Sequence, residues 1–171
     1  TDREQQVNMV SYLNVGSAWG VAAGNPKNFN PSDPCGTTIA VQTGTAQEEY
    51  AATLSDECVA AGKSKITVMP HELQTDIATK LIGGQYDATL ADSTVIGYTS
   101  AQSGGKIEQL GDTFESAPQG IAVAKDDAQL TEAVQKAMQY LMDNGYLTDI
   151  LATYGADNAA LTTAELNPSV N

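Results

Sequence analysis

The chain has 171 residues, 42% of them hydrophobic, and a formal net charge of −13 from 8 basic and 21 acidic side chains. That length carries one ordinary domain with appendages, and so acidic a chain is repelled by phosphate backbones and anionic membrane surfaces, which argues against nucleic acid as a partner. No run approaches the ~18 apolar residues of a membrane helix, and no signal-peptide pattern opens the sequence.

In chain order, Gln6–Tyr12 and Ala18–Ala23 read as two strands. A connector with three prolines, 24–34, forbids regular structure and reads as a surface loop. Alternation follows. Thr37–Val41 predicts a strand. Thr45–Leu54 predicts a helix opened by a Thr45/Glu48 capping box. A short second helical piece carries Cys58 and stops at Gly62. Lys65–Met69 predicts a strand, and His71–Ile82 a helix with Leu73, Ile77 and Leu81 on one face. Tyr86–Leu90 predicts a strand, Ser93–Ala101 a helix, and Ile107–Leu110 a short strand or extended link. The order β-α-β-α-β-α with short connections predicts an α/β fold with a parallel-rich sheet and helices on both faces. Pro118–Ala124 is a further strand. Two helices close the chain, Ala128–Met142 capped by Asp126 or Asp127, and Leu147–Tyr154. Residues 156–171 read as a polar tail without pattern.

In open parallel sheets ligands bind beyond the carboxyl ends of strands. The turn Gln42-Thr43-Gly44-Thr45-Ala46 joins a strand to a helix start, where free N–H groups and the Thr45 hydroxyl suit an anion. It lacks the P-loop pattern and any following Lys or Arg, so a carboxylate fits better than a polyphosphate. The same segment also reads as a plain capped turn. At the end of a later strand, Asp92 can accept hydrogen bonds from an ammonium, or simply cap the next helix. Together the two ends describe a receptor for a zwitterion such as an α-amino acid. The two cysteines, Cys35 and Cys58, are a disulfide or two inert buried thiols. The disulfide is the expectation, and it implies an oxidising compartment. One histidine and no CxxC make a zinc site hard to assemble. His71 reads as a surface or helix-start residue, Trp19 as packing, and Asp87 as a structural hydrogen-bonder.

The segments Ile39–Thr45 (IAVQTGT), Gly84–Asp92 (GQYDATLAD) and Gly120–Lys125 (GIAVAK), with a closing long helix, Asn144-Gly145-Tyr146 and a short helix ending at Tyr154-Gly155, resemble the family 3 bacterial extracellular solute-binding proteins. Around Cys35 and Cys58 the likeness is to a Gram-positive, actinobacterial branch. The resemblance implies a type II periplasmic-binding-protein-like fold of two lobes. Residues 1–17 are then a remnant of lobe one and 18–24 the first crossing strand. Residues 25–117 are lobe two, 118–124 the return crossing, and 125–171 C-terminal helices and tail on lobe one. It implies capture of an amino acid or similar polar solute between the lobes, for delivery to an ABC permease, with no cofactor and no catalysis. Arg3 and Thr45 would share the ligand carboxylate, Asp92 would take its amino group, and Gln42 would read its side chain. Location would be extracytoplasmic, as a cell-surface lipoprotein whose signal lies upstream. The early lobe-one strands of relatives have no counterpart before Arg3. That predicts weak ligand binding by this chain and self-association through exposed apolar faces. Two other functions share the scaffold: a periplasmic dehydratase-like enzyme, and the ligand-sensing domain of a membrane receptor.

Overall fold

A computed structural model describes residues 5–169. The chain divides into two compact units: one holds the residues up to Gly16 and those from Glu115 onward, the other is Ser17–Phe114. The fold is mixed α/β, with a five-stranded, mostly parallel sheet flanked by helices.

In the second unit the alternation of strands and helices holds. The elements are β2 (Thr38–Gln42), α1 (Ala46–Ala60), β3 (Thr67–His71), α2 (Gln74–Ile82), β4 (Ala88–Asp92) and α3 (Ser93–Gln102). They are framed by β1 (Val7–Ala22) and β5 (Ile107–Ala124), each of which supplies residues to both units. Strand order is β3-β2-β4-β1-β5. β2 runs parallel to both β3 and β4, and β1 runs antiparallel to β4.

Side chains on a strand alternate between faces, and the core follows that rule. Ile39 and Val41 of β2 pack with Leu90 and with Ala51 and Cys58 of α1. Ala40, between them, packs with Ile77 and Leu81 of α2 on the opposite face. Helices thus cover both faces, which is why Ile39–Val41 of β2 and Ala88–Ala91 of β4 are buried without a break. Gly20 of β1 marks a close approach: a Cβ there would lie 2.9 Å from both Ile96 Cδ1 and Thr89 Cγ2.

Several boundaries differ from the sequence reading. The first two predicted strands are one 16-residue strand, and the last two are one of 18 residues interrupted by positive φ at Gly111 and Glu115. The two pieces of helix before Gly62 are one helix, α1. Its end is a Schellman motif: Gly62 (φ 72°) donates to Val59 O and Lys63 N donates to Cys58 O at 2.8 Å. The helix expected from His71 starts at Gln74, and Leu73 is 58% exposed rather than on the core stripe. His71 instead ends β3 in register with Gln42, its Nε2 2.7 Å from the Tyr86 hydroxyl. The Pro-rich connector lies at the surface except for Pro34, which is buried, and Phe29, which is 4% exposed and packs on Trp19 at 5.0 Å between ring centroids. Asp87 and Trp19 have the structural roles read from sequence: Asp87 Oδ2 accepts from Thr38 N at 2.7 Å, and Trp19 is buried.

In the first unit, α4 (Ala128–Asp143) is capped by Asp127, whose carboxylate accepts from Leu130 N at 2.8 Å; α5 (Tyr146–Ala152) follows. Val10 packs with Met138, Leu147 and Ala164. The tail has more structure than its sequence indicates. A 3-10 turn, Asp157–Ala159, leads into a segment bridged to β1 at Val10↔Leu166 and Leu13↔Ala160. Backbone bonds such as Ser11 N to Glu165 O (2.9 Å) fix it. Backbone pairing does not need a hydrophobic period, so composition alone misses it. No helix among the described residues is long and apolar enough to cross a membrane.

Candidate functional site

β2 and β4 are parallel neighbours with Val41 opposite Leu90, so their carboxyl ends lie side by side. Each end runs into a helix, β2 through the Thr43–Thr45 turn into α1 and β4 directly into α3. The two ends meet at a recess of ≈ 270 Å³, part of it open to solvent. Its polar wall is made by Gln42, Thr45, Gln47, Gln74 and Asp92; Leu90, Ala91 and Val95 supply the apolar part. The recess lies wholly within the second unit.

Thr45 is the N-cap of α1. Its hydroxyl donates to Gln42 O at 2.7 Å and accepts from Glu48 N at 3.2 Å. The Glu48 carboxylate reaches one residue further back than a capping box requires and accepts from Gly44 N at 2.7 Å. That places an internal carboxylate on one N–H of the turn, so this donor is already engaged. Replacing Thr45 with alanine is expected to cost about 1 kcal/mol of stability, read from the denaturant midpoint, because the Glu48 N–H loses its cap.

Asp92 is the N-cap residue of α3 but makes no side-chain cap bond. Its Oδ1 accepts from Gln47 Nε2 at 2.8 Å, and the same amide nitrogen donates to Ser17 Oγ at 3.2 Å. Ser17 is the β1 residue opposite Asp92 in the sheet. Gln47, 9% exposed, therefore holds the carboxylate at the rim of the recess. Sequence reasoning missed this residue; its signal was its place at the second position of the helix that starts beside the recess.

Of the residues expected to act together, Gln42, Thr45 and Asp92 share the recess. Thr43, Gly44 and Ala46 form the adjoining turn and helix start and do not line it. Thr43 N donates to His71 O at 2.9 Å. Arg3 lies outside the described residues. Cys35 and Cys58 are joined in a disulfide with a Cα–Cα distance of 5.6 Å, which pins the loop before β2 to the last turn of α1. No group of three or more His, Cys, Asp or Glu among the described residues is placed to hold a metal ion.

No family model matches the chain. The arginine-binding protein ArgT of Corynebacterium glutamicum is 34% identical over 97% of this chain. The alignment covers 55% of that protein, so the chain spans about half the length of this curated relative. Among solved structures, an ancestral cationic amino acid solute-binding protein superposes with a TM-score of 0.70 at 18% identity, covering 90% of this chain and 64% of that one. A mutant of ArgBP from T. maritima gives 0.62 at 25% identity, covering 90% and 63%. The similar structures are mainly binding proteins. A second structure of the same ancestor is described as a precursor of cyclohexadienyl dehydratase.

Proposed function

We propose that this chain, which belongs to the family 3 extracellular solute-binding proteins, forms part of the receptor of an ABC importer and binds an α-amino acid with a cationic side chain. The observation that carries the reading is the shared recess: a capped helix start at Thr45 and a carboxylate at Asp92 face one small space. The ligand carboxylate lies against the first turn of α1, with Arg3 as a second anchor by family resemblance. The ligand ammonium is held by Asp92 as a charge-assisted hydrogen bond. Capture is a population shift between open and closed lobes, residues 18–24 and 118–124 being the crossings, 25–117 lobe two and 125–171 part of lobe one. The names of the relatives support the cationic class: one is an arginine-binding protein and another a cationic amino acid solute-binding protein.

The disulfide fits an oxidising, extracytoplasmic location, and we place the protein as a lipoprotein on a Gram-positive surface, with an ABC permease as its partner. Leu130, Tyr140, Tyr146 and Ile150, each roughly half exposed on α4 and α5, make self-association of this chain an accompanying proposal, read by sedimentation at rising concentration.

The test is a titration of the isotopically labelled chain with L-arginine, followed by amide correlation spectra. Binding is expected to be weak, with saturable shifts at Thr45, Ala46, Gln47 and Asp92. Shifts scattered over the surface, or none at those residues, would refute the assignment. A dehydratase-like activity is the second reading, favoured by the ancestor described as an enzyme precursor. It requires an acid or base in the recess, where Asp92 is the one carboxylate among the lining residues and is already engaged by Gln47. Turnover of a cyclohexadienyl substrate would establish it; its absence at saturating concentration would dismiss it.

A further inference from the structure

We infer that Gln74 is a specificity-determining residue: its carboxamide oxygen accepts a hydrogen bond from the cationic end of the ligand's side chain. This rests on the amino-acid reading of the recess and extends it. The Gln74 Oε1 atom is buried and has no hydrogen-bond partner among the described residues, and the residue lines the recess. Buried polar atoms are almost always paired. One left unpaired on a residue that lines the recess is an acceptor without a donor among the described residues.

The hydrogen-bonding inventory of the recess points the same way. Gln47 Nε2 is committed to Asp92 and Ser17, and Gln42 Nε2 to Glu72 O at 3.2 Å. The side chains leave a guest acceptors at Asp92, at the amide oxygens of Gln42 and Gln47 and at Gln74 Oε1, beside the remaining amide N–H groups of Gln42 and Gln74. Among the described residues, no lysine, arginine or histidine lines the space. The acceptors, with Asp92 the one charged side chain among the lining residues, favour a donor. A guanidinium or ammonium, which only donates, satisfies them. Gln74 sits at the first position of α2, where the preceding Leu73 gives no side-chain cap. A carboxylate placed there is favoured by the helix dipole, so Gln74→Glu is expected to fold.

The probes are L-arginine and L-norleucine, which share the α-amino acid head and differ in side-chain donors. Dissociation constants are read from amide shifts of the whole chain. In the wild-type protein arginine is expected to bind more tightly. Gln74→Met, which keeps the length and loses the acceptor, is expected to cut the arginine-over-norleucine ratio about 10-fold or more. Gln74→Glu is expected to raise that ratio several-fold, with the gain shrinking as salt is added. An unchanged ratio in both variants, or equal losses for both ligands, overturns the role of Gln74 and leaves the amino-acid site standing. Failure of both ligands to shift Thr45 and Asp92 in the wild-type chain overturns the site itself and this inference with it.

Discussion

Asp92→Asn is expected to weaken binding of an α-amino acid by about 2–3 kcal/mol, or roughly 30- to 150-fold, while the fold stays intact. The substitution separates two roles of one side chain. The carboxylate accepts from Gln47 Nε2, and an asparagine oxygen at the same place still can. What is lost is the negative charge opposite the ligand ammonium, which then enters the recess with no counter-ion. The loss is set at the lower part of the range for truncated charge pairs because Asp92 is only partly buried. Asp92→Ala removes both roles: Gln47 keeps Ser17 as its remaining acceptor, and an extra loss of about 1 kcal/mol of stability is expected. The paired measurement is an arginine titration and a denaturant melt for each variant. Equal arginine affinity in wild type and Asp92→Asn would remove the ammonium from this position. A large loss of stability in Asp92→Asn would make Asp92 a structural residue first.

The same residues show what the sequence could and could not disclose. Strand ends were legible because β-branched runs stop at Gly, Thr or Asp, and the helix start at Thr45 was legible from its cap. From these, the meeting of Thr45 and Asp92 follows, since adjacent parallel strands present their carboxyl ends together. Gln47 and Gln74 were not legible. Each is polar at a helix start, a position where the sequence expects a solvated side chain. Their importance depends on which neighbouring element stands across from them. Gln74 was further hidden by the assignment of His71 to a helix, when Gln42 and His71 are in fact strand partners. Hydrophobic period gives the face of an element; it is silent on polar contacts across elements. The tail shows a third limit. Its order comes from backbone bonds to β1 and from Asn167, whose Oδ1 accepts from Met9 N at 2.9 Å, and neither leaves a periodic trace.

Reduction of the Cys35–Cys58 disulfide is expected to destabilise the second unit by about 3 kcal/mol, from the entropy of a loop closed over a sequence separation of 23. For a unit of this size that corresponds to a fall in melting temperature of about 12–20 °C. The loop is not bare chain: it contains β2, the Thr43–Thr45 turn and most of α1. Opening it therefore loosens the elements that build one wall of the recess. Cys58 is buried in the same cluster as Ile39, Val41 and Trp19, so a Cys58→Ser variant adds a buried hydroxyl and a packing defect to the loss of the crosslink. Cys35→Ala, at a partly exposed position, isolates the crosslink more cleanly. The chain has a single tryptophan, and Trp19 lies in this cluster, so its fluorescence reports the melting of the second unit. The expected result is an early loss of the Trp19 signal in reductant and in Cys35→Ala, to the same extent. The ellipticity contributed by α4 and α5, which pack in the other unit with Val10, should melt at its former temperature. A Trp19 transition that ignores reductant would mean that packing alone fixes the α1 end of the site. A single transition moving both signals together would mean that the two units unfold as one, and that the disulfide stabilises the whole chain rather than the wall it closes.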